Sequence, residues 1–139
     1  MTYASQSDLT ERFGVDELAQ RSNRLDGSAI DAGVVARALA DADAEIDSYL
    51  ATRYALPLAS TPTVINRLAC DIARYRLYDD GVTEAVRQRF EDALALLKKF
   101  SSGEVRLAGF EDVATAGTAM VHHSFEPRQM SADNLRGFA

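Results

Sequence analysis

Residues 34–58, VVARALADADAEIDSYLATRYALPL, decide the fold of this chain. Val35, Leu39, Ala42, Ile46, Tyr49 and Leu50 recur at alternating steps of four and three, with Arg53 ending the row, so one face of a long helix is apolar and demands a packing partner. Asp41, Asp43, Glu45 and Asp47 fall between these positions. The pairs 41/45 and 43/47 lie four apart, where like charges repel by a few tenths of a kcal/mol. The opposite face of the helix is therefore expected to be acidic and solvated. Prolines at 57 and 62 then break the pattern, because neither has an N–H to give and each disfavours helix at the preceding residue.

Two further amphipathic segments follow. Thr61 and Pro62 make a suitable helix start, hydroxyl as cap and proline at the first position. Val64, Ile65, Leu68, Ala69, Ile72 and Ala73 then line one side, with Arg67, Asp71 and Arg74 on others, up to Asp79 and Asp80 before Gly81. The spacing of Val86, Phe90, Ala93, Leu94, Leu97 and Phe100 predicts another helix over about 83–101, with Glu84 early and Lys98 and Lys99 late, as the helix dipole favours. On the N-terminal side, Ser7 before DLTERF is read as a cap, Gly14 as a stop, VDELAQRS as a second short helix and NRLDGSAIDAG as a loop. The fold class is mainly α, a small antiparallel bundle of three longer helices plus short N-terminal helices.

Residues 104–139 behave differently. They lack a sustained 3.6 period, and GEVRLAGF suggests a short strand or hairpin. Val113, Met120, Val121, Phe125, Met130, Leu135 and Phe138 are isolated apolar residues among small and polar ones. Such a segment makes no core alone, but its anchors suit a neighbouring protein. The division is thus a helical bundle over 1–103 and an extended arm over 104–139, for contacts between subunits.

The 139 residues fit one domain. No apolar run approaches a membrane span, and the opening MTYASQSDLTERF has no basic start followed by an apolar block, so a product of the cytoplasm is expected. The net charge of −6 disfavours indiscriminate duplex binding, which needs several phosphates neutralised. It is uneven: residues 1–60 hold ten acids and five bases, residues 61–103 six and seven, so the acidity sits at the ends.

No phosphate loop, GxSxG elbow, HExxH or paired CxxC occurs. His122 and His123 are adjacent, and on extended chain point to opposite sides, a poor start for a metal site. Asp41, Asp43, Glu45 and Asp47, spaced by two, fan around a helix, which favours a solvated face over a cation site. Arg67, Arg74, Arg76, Arg87 and Arg89 alternate with Asp71, Glu84, Glu91 and Asp92, the pattern of salt-bridged surfaces or subunit contacts and not of phosphate readout. Tyr75 and Tyr78 read as core edge, and Cys70, inside RLACDIA, as core packing. No cofactor, metal ligand or catalytic residue is expected. The competing classes are a small metal-dependent hydrolase or nuclease using the carboxylates and the histidine pair, and a small helical DNA-binding regulator.

Three stretches together, YASQSDLTERFGVDEL, VVARALADADAEIDSYLATRYALPL and PTVINRLACDIARYRLYDD, resemble a protein family of Mu-like phages and prophages related to the helical head–tail connector adaptors. The resemblance covers about residues 3–100 and lies in the combination of DLxxRFG, ALxDAxAEIDxYLxxRYxLPL and LxxDIARYxLY. It implies a helical bundle that assembles with itself as a ring, commonly of twelve copies, beneath the portal protein. There it would join the DNA-filled head to a downstream neck or tail protein. DNA would pass through the ring without specific binding, and in such a ring Asp41, Asp43, Glu45 and Asp47 are candidates for a channel lining that repels phosphate. The resemblance brings no catalytic residues, and it implies a place in the virion neck, without a membrane.

Overall fold

The computed structural model describes residues 2–113. Five helices follow in order: α1 (Gln6–Phe13), α2 (Val15–Ser22), α3 (Ala32–Leu50), α4 (Thr63–Leu77) and α5 (Glu84–Ser102). No strand forms among the described residues.

The apolar stripes meet as their periodicity requires. Val35, Leu39, Ala42, Ile46 and Leu50 of α3 are buried against Ile65, Leu68, Ala69, Ile72 and Ala73 of α4 and against Ala93, Leu97 and Phe100 of α5. Tyr49, Val64, Phe90 and Leu94 pack half-buried at the margins. Each large side chain so buried contributes ~1.5–3 kcal/mol, set against the entropy of ordering the chain. At one end of the bundle Thr52 and Arg53, just past α3, reach Ser101 and Ser102 at the end of α5. α3 and α5 therefore finish together, and α4, connected to both, runs against them. α1 and α2 cover the bundle through Leu9 and Leu18, both in the core.

Several helix ends differ from the sequence reading. α1 is capped by Ser5, whose Oγ accepts the Asp8 N–H at 3.2 Å while the Asp8 carboxylate accepts the Ser5 N–H at 2.9 Å. Ser7 lies inside the helix, because this reciprocal capping box satisfies two end amides at once and a cap at Ser7 would satisfy one. α4 begins one residue later than expected: Pro62 is still extended, at ψ 150°, and is itself the cap position, with no side-chain bond from Thr61 or any other residue. α4 also ends at Leu77, short of Asp79, where the Tyr78 N–H folds back onto Arg74 O and Tyr75 O. Thr83 caps α5 through the Val86 N–H.

The expected strand in GEVRLAGF is absent. Residues 103–110 form turns instead, since the Leu107 N–H donates to Tyr54 Oη at 2.9 Å and the Phe110 N–H to Leu107 O at 3.2 Å. An amide committed to a side chain cannot serve a ladder. Leu107 is 2% exposed and belongs to the core, with Phe110 packed against it. The division drawn at 103/104 thus falls inside the packed unit, which runs on to Asp112. Gly103 marks the crossing point: its φ of +84° suits glycine, and a Cβ there would stand 2.7 Å from Arg53 Cζ.

A chain ended after residue 103 is expected to unfold at markedly lower urea than one ended after residue 113. Leu107→Ala in the full chain should cost about 2–4 kcal/mol, as for other buried leucines. Equal midpoints for the two truncations would show that the turn adds nothing to the core.

Candidate interaction site

The acidic row on α3 does not form one solvated face. Asp43 and Asp47 hold the N-terminal segment: Asp43 Oδ1 accepts the Tyr3 N–H at 3.0 Å, and Asp47 accepts a hydrogen bond from the Tyr3 hydroxyl. Tyr3 is 2% exposed, and its carbonyl accepts from Asn66 Nδ2, which also reaches Asp8. Burial, and then the Asp47 carboxylate, push the Tyr3 hydroxyl pKa upward, and burial raises that of Asp43. Glu45 turns to α4, where it accepts from Arg76 at 2.8 Å. Asp41 is the exposed member of the four. Sequence reasoning missed Tyr3, although the Ser5–Asp8 spacing of a capping box was there to fix where the chain enters α1.

The arginines of the middle segment are paired with carboxylates. Arg74 grips Glu17 of α2 with two bonds, 2.7 and 2.8 Å, and lies over the Phe13 ring. That bond raises the Arg74 pKa. Arg76, besides holding Glu45, sits over Phe90, which stacks on Tyr75 at 3.8 Å. Arg87 bridges Glu84 and Glu91 within α5. Tyr78 is buried, with Arg21 over its ring. Cys70 is wholly buried, and burial lifts its thiol pKa to about 11, far from the thiolate a nucleophile needs.

A second cluster fixes the exit of the chain. The Arg53 guanidinium donates to Ser101 O and Ser102 O, closing the end of α5, and to the Asp112 carboxylate at 3.1 Å. Asp112 is 7% exposed, and the Val113 N–H beside it donates to Arg53 O at 2.8 Å. Val113 itself is half exposed. Met120, Val121, Phe125, Met130, Leu135, Phe138 and the histidine pair lie outside the described residues.

The third feature is a depression of about 410 Å³ between α1, α4 and α5, lined by Arg12, Phe13, Arg67, Asp71, Arg89 and Asp92. Asp71 is 5% exposed, and burial raises its pKa despite Arg89, Arg67, Arg12 and Arg74 nearby. Among the described residues no group of three or more His, Cys, Asp and Glu is placed to hold a metal ion. No helix among them is long and apolar enough to cross a membrane.

Comparison with known proteins places these features in a lineage. Residues 3–123 match the family model described as Bacteriophage Mu, Gp36. The chain is similar to the Mu-like prophage FluMu protein gp36 of Haemophilus influenzae, 38% identical over 113 residues that cover 81% of this chain and 80% of that one. It is also similar to gene product J of Escherichia phage Mu, 36% identical over 106 residues, 75% of this chain and 74% of that one.

Arg53→Ala is expected to cost about 3 kcal/mol or more in urea denaturation, because it takes a cation from the buried Asp112 and uncovers two end carbonyls. For Asp71 the sign is opposite to that of an exposed ion-paired carboxylate. Its folded pKa stands above the unfolded one, so wild type should gain stability relative to Asp71→Asn as pH falls from 7 toward about 4, and lose it again on return. A difference that stays flat with pH would mean that the arginines offset the burial fully.

Proposed function

The chain belongs to the Bacteriophage Mu Gp36 family, and on that premise we propose that it is a non-enzymatic neck adaptor of a Mu-like particle. In this reading copies of the chain assemble as a ring, of about twelve by the resemblance noted above, under the portal protein. The ring joins the DNA-filled head to the next neck or tail component, in the virion.

The observation that carries the reading is the match of residues 3–123 to the family model, a range that includes the three stretches quoted above, beside 38% identity with gp36 of a Mu-like prophage over 81% of the chain. The physical character of the molecule supports it. A bundle whose interior is filled by its own helices suits a repeating part. A net charge of −6 suits a channel that lets DNA slide, since phosphates find few unpaired cations to hold them. On this view exposed carboxylates such as Asp41 face the passing duplex. Val113, Met120, Val121, Phe125, Met130, Leu135 and Phe138 act as anchors on a neighbouring copy or on the portal protein.

Particles made without the chain are expected to stop as filled heads and separate tails, and electron microscopy of complete particles to show ring density of this chain at the neck. Infectious tailed particles forming without it would defeat the reading. The purified protein should also bind duplex DNA no more tightly than ~10⁻⁴ M at physiological salt, the weak end of the non-specific range. Salt-sensitive binding at micromolar concentration would favour a DNA-binding regulator instead.

A further inference from the structure

We propose that the depression formed by Arg12, Arg67 and Arg89 around Asp71 receives an acidic segment of a second copy of this chain. The incoming carboxylate lies on the arginines, and a backbone N–H of the same segment bonds to Asp71. The inference rests on the ring reading and names one contact through which copies meet.

Asp71 is the starting observation. Its side chain is 6% exposed, yet its ion partners stand at 3.7 Å, Arg67 Nη1, and 4.0 Å, Arg89 Nη1, both beyond hydrogen-bonding distance. A buried carboxylate normally accepts close hydrogen bonds, because its desolvation is otherwise uncompensated. Asp92, the other acid of the lining, differs: it accepts from Gln88 Nε2 at 2.9 Å. Asp71 is thus the group that a bound N–H would satisfy, and it forms part of the depression wall.

The arginines supply the other half. Arg12 comes from α1, Arg67 from α4 and Arg89 from α5, so three helices bring cations to one opening. Arg12 gives one N–H to Asn66 at 3.1 Å. Arg67 and Arg89 are 49% and 60% exposed at the side chain, and each reaches Asp71 with one nitrogen, Nη1. Three arginines against Asp71 and Asp92 leave the lining one positive charge in excess, which a single carboxylate neutralises. A phosphodiester strand suits it less, since its successive charges would face Asp71, Asp92 and the neighbouring Glu91 on a chain that is already acidic.

A second copy is the occupant that charge selects. Copies carrying −6 each repel at long range, so they associate where a local positive surface meets a negative one. In a ring the contact is head-to-tail, and different patches of the same chain face each other. The chain carries the complement in abundance, with exposed carboxylates at Asp16, Asp26, Asp79 and Glu111.

The test places the photo-crosslinker benzoylphenylalanine in the full chain at Ala85, exposed one turn before Arg89, or at Ala40 on the exposed face of α3, and irradiates particles assembled with it. The expected product from position 85 is a covalent pair of two copies. Its yield should fall at least tenfold with Arg89→Glu and severalfold with Arg89→Gln, while circular dichroism confirms that both variants stay folded. A position-85 adduct with DNA or with a different protein overturns the proposal, as does a pair whose yield ignores Arg89. Pairs from position 40 with none from position 85 leave the ring standing and remove this contact. No pairs from either position, or no chain in the particles, remove the ring reading and this contact with it.

Discussion

The enclosure of α4 is the constraint on which the rest of the molecule depends. Residues 68–73, Leu-Ala-Cys-Asp-Ile-Ala, are all buried, so the helix meets protein around its whole circumference at that level. An amphipathic helix hides one stripe; one covered all round must sit at the centre of its domain. Packing α3 on one flank and α5 on another leaves the remainder to be closed by α1 and α2. The short N-terminal helices are therefore walls of the core, and the clasp between Arg74 and Glu17 holds one wall in place from the central helix itself.

This enclosure explains why electrostatics on an acidic protein take the form they do. Carrying Asp71 and Arg74 on a buried helix obliges neighbouring helices to bring opposite charges or aromatic faces to them. The guanidinium of Arg74 meets Glu17 and the Phe13 ring, while Arg67, Arg89 and Arg12 gather near Asp71. Arg76 joins α4 to Glu45 of α3 in the same manner. Much of the nearly balanced charge of the middle segment is thus paired, at the surface for most of these residues and under cover for Asp71 and Arg74. The excess that remains over the whole chain is negative, −6.

How much of this was legible follows from the range of each interaction. The stripes of α3, α4 and α5 repeat within a few residues, so Val35, Ile46, Leu68 and Leu97 could be assigned to the core before any fold was known. Leu107 could not, because its burial depends on Tyr54, fifty-three positions earlier, offering a hydroxyl to its amide. Tyr3 is similar: only the folded chain brings Asp43, Asp47 and Asn66 around it. Asp71 was read as lying off the apolar side of its helix, since a lone sequence gives no sign that arginines from two other helices will cover it. The cap at Ser5 was the exception, a local signal that an eye for the reciprocal spacing would have found.

The two pins at the ends of the described chain, both anchored on α3 or its final turn, carry a geometric consequence. Tyr3 fastens the entry to Asp43 and Asp47, and Arg53 fastens the exit through Asp112 and the Val113 amide. The same guanidinium holds Asp112 through Nη1 and closes the end of α5 through Nε and Nη2, so a shift of the exit strains a helix terminus. The geometry at residues 112 and 113 is thereby fixed relative to the bundle, in distance by the Asp112 ion pair and in direction by the Val113 amide. That is a physical reason for an ion pair on the last turn of the packed unit, where a hydrophobic pair would have been as stable but less directional.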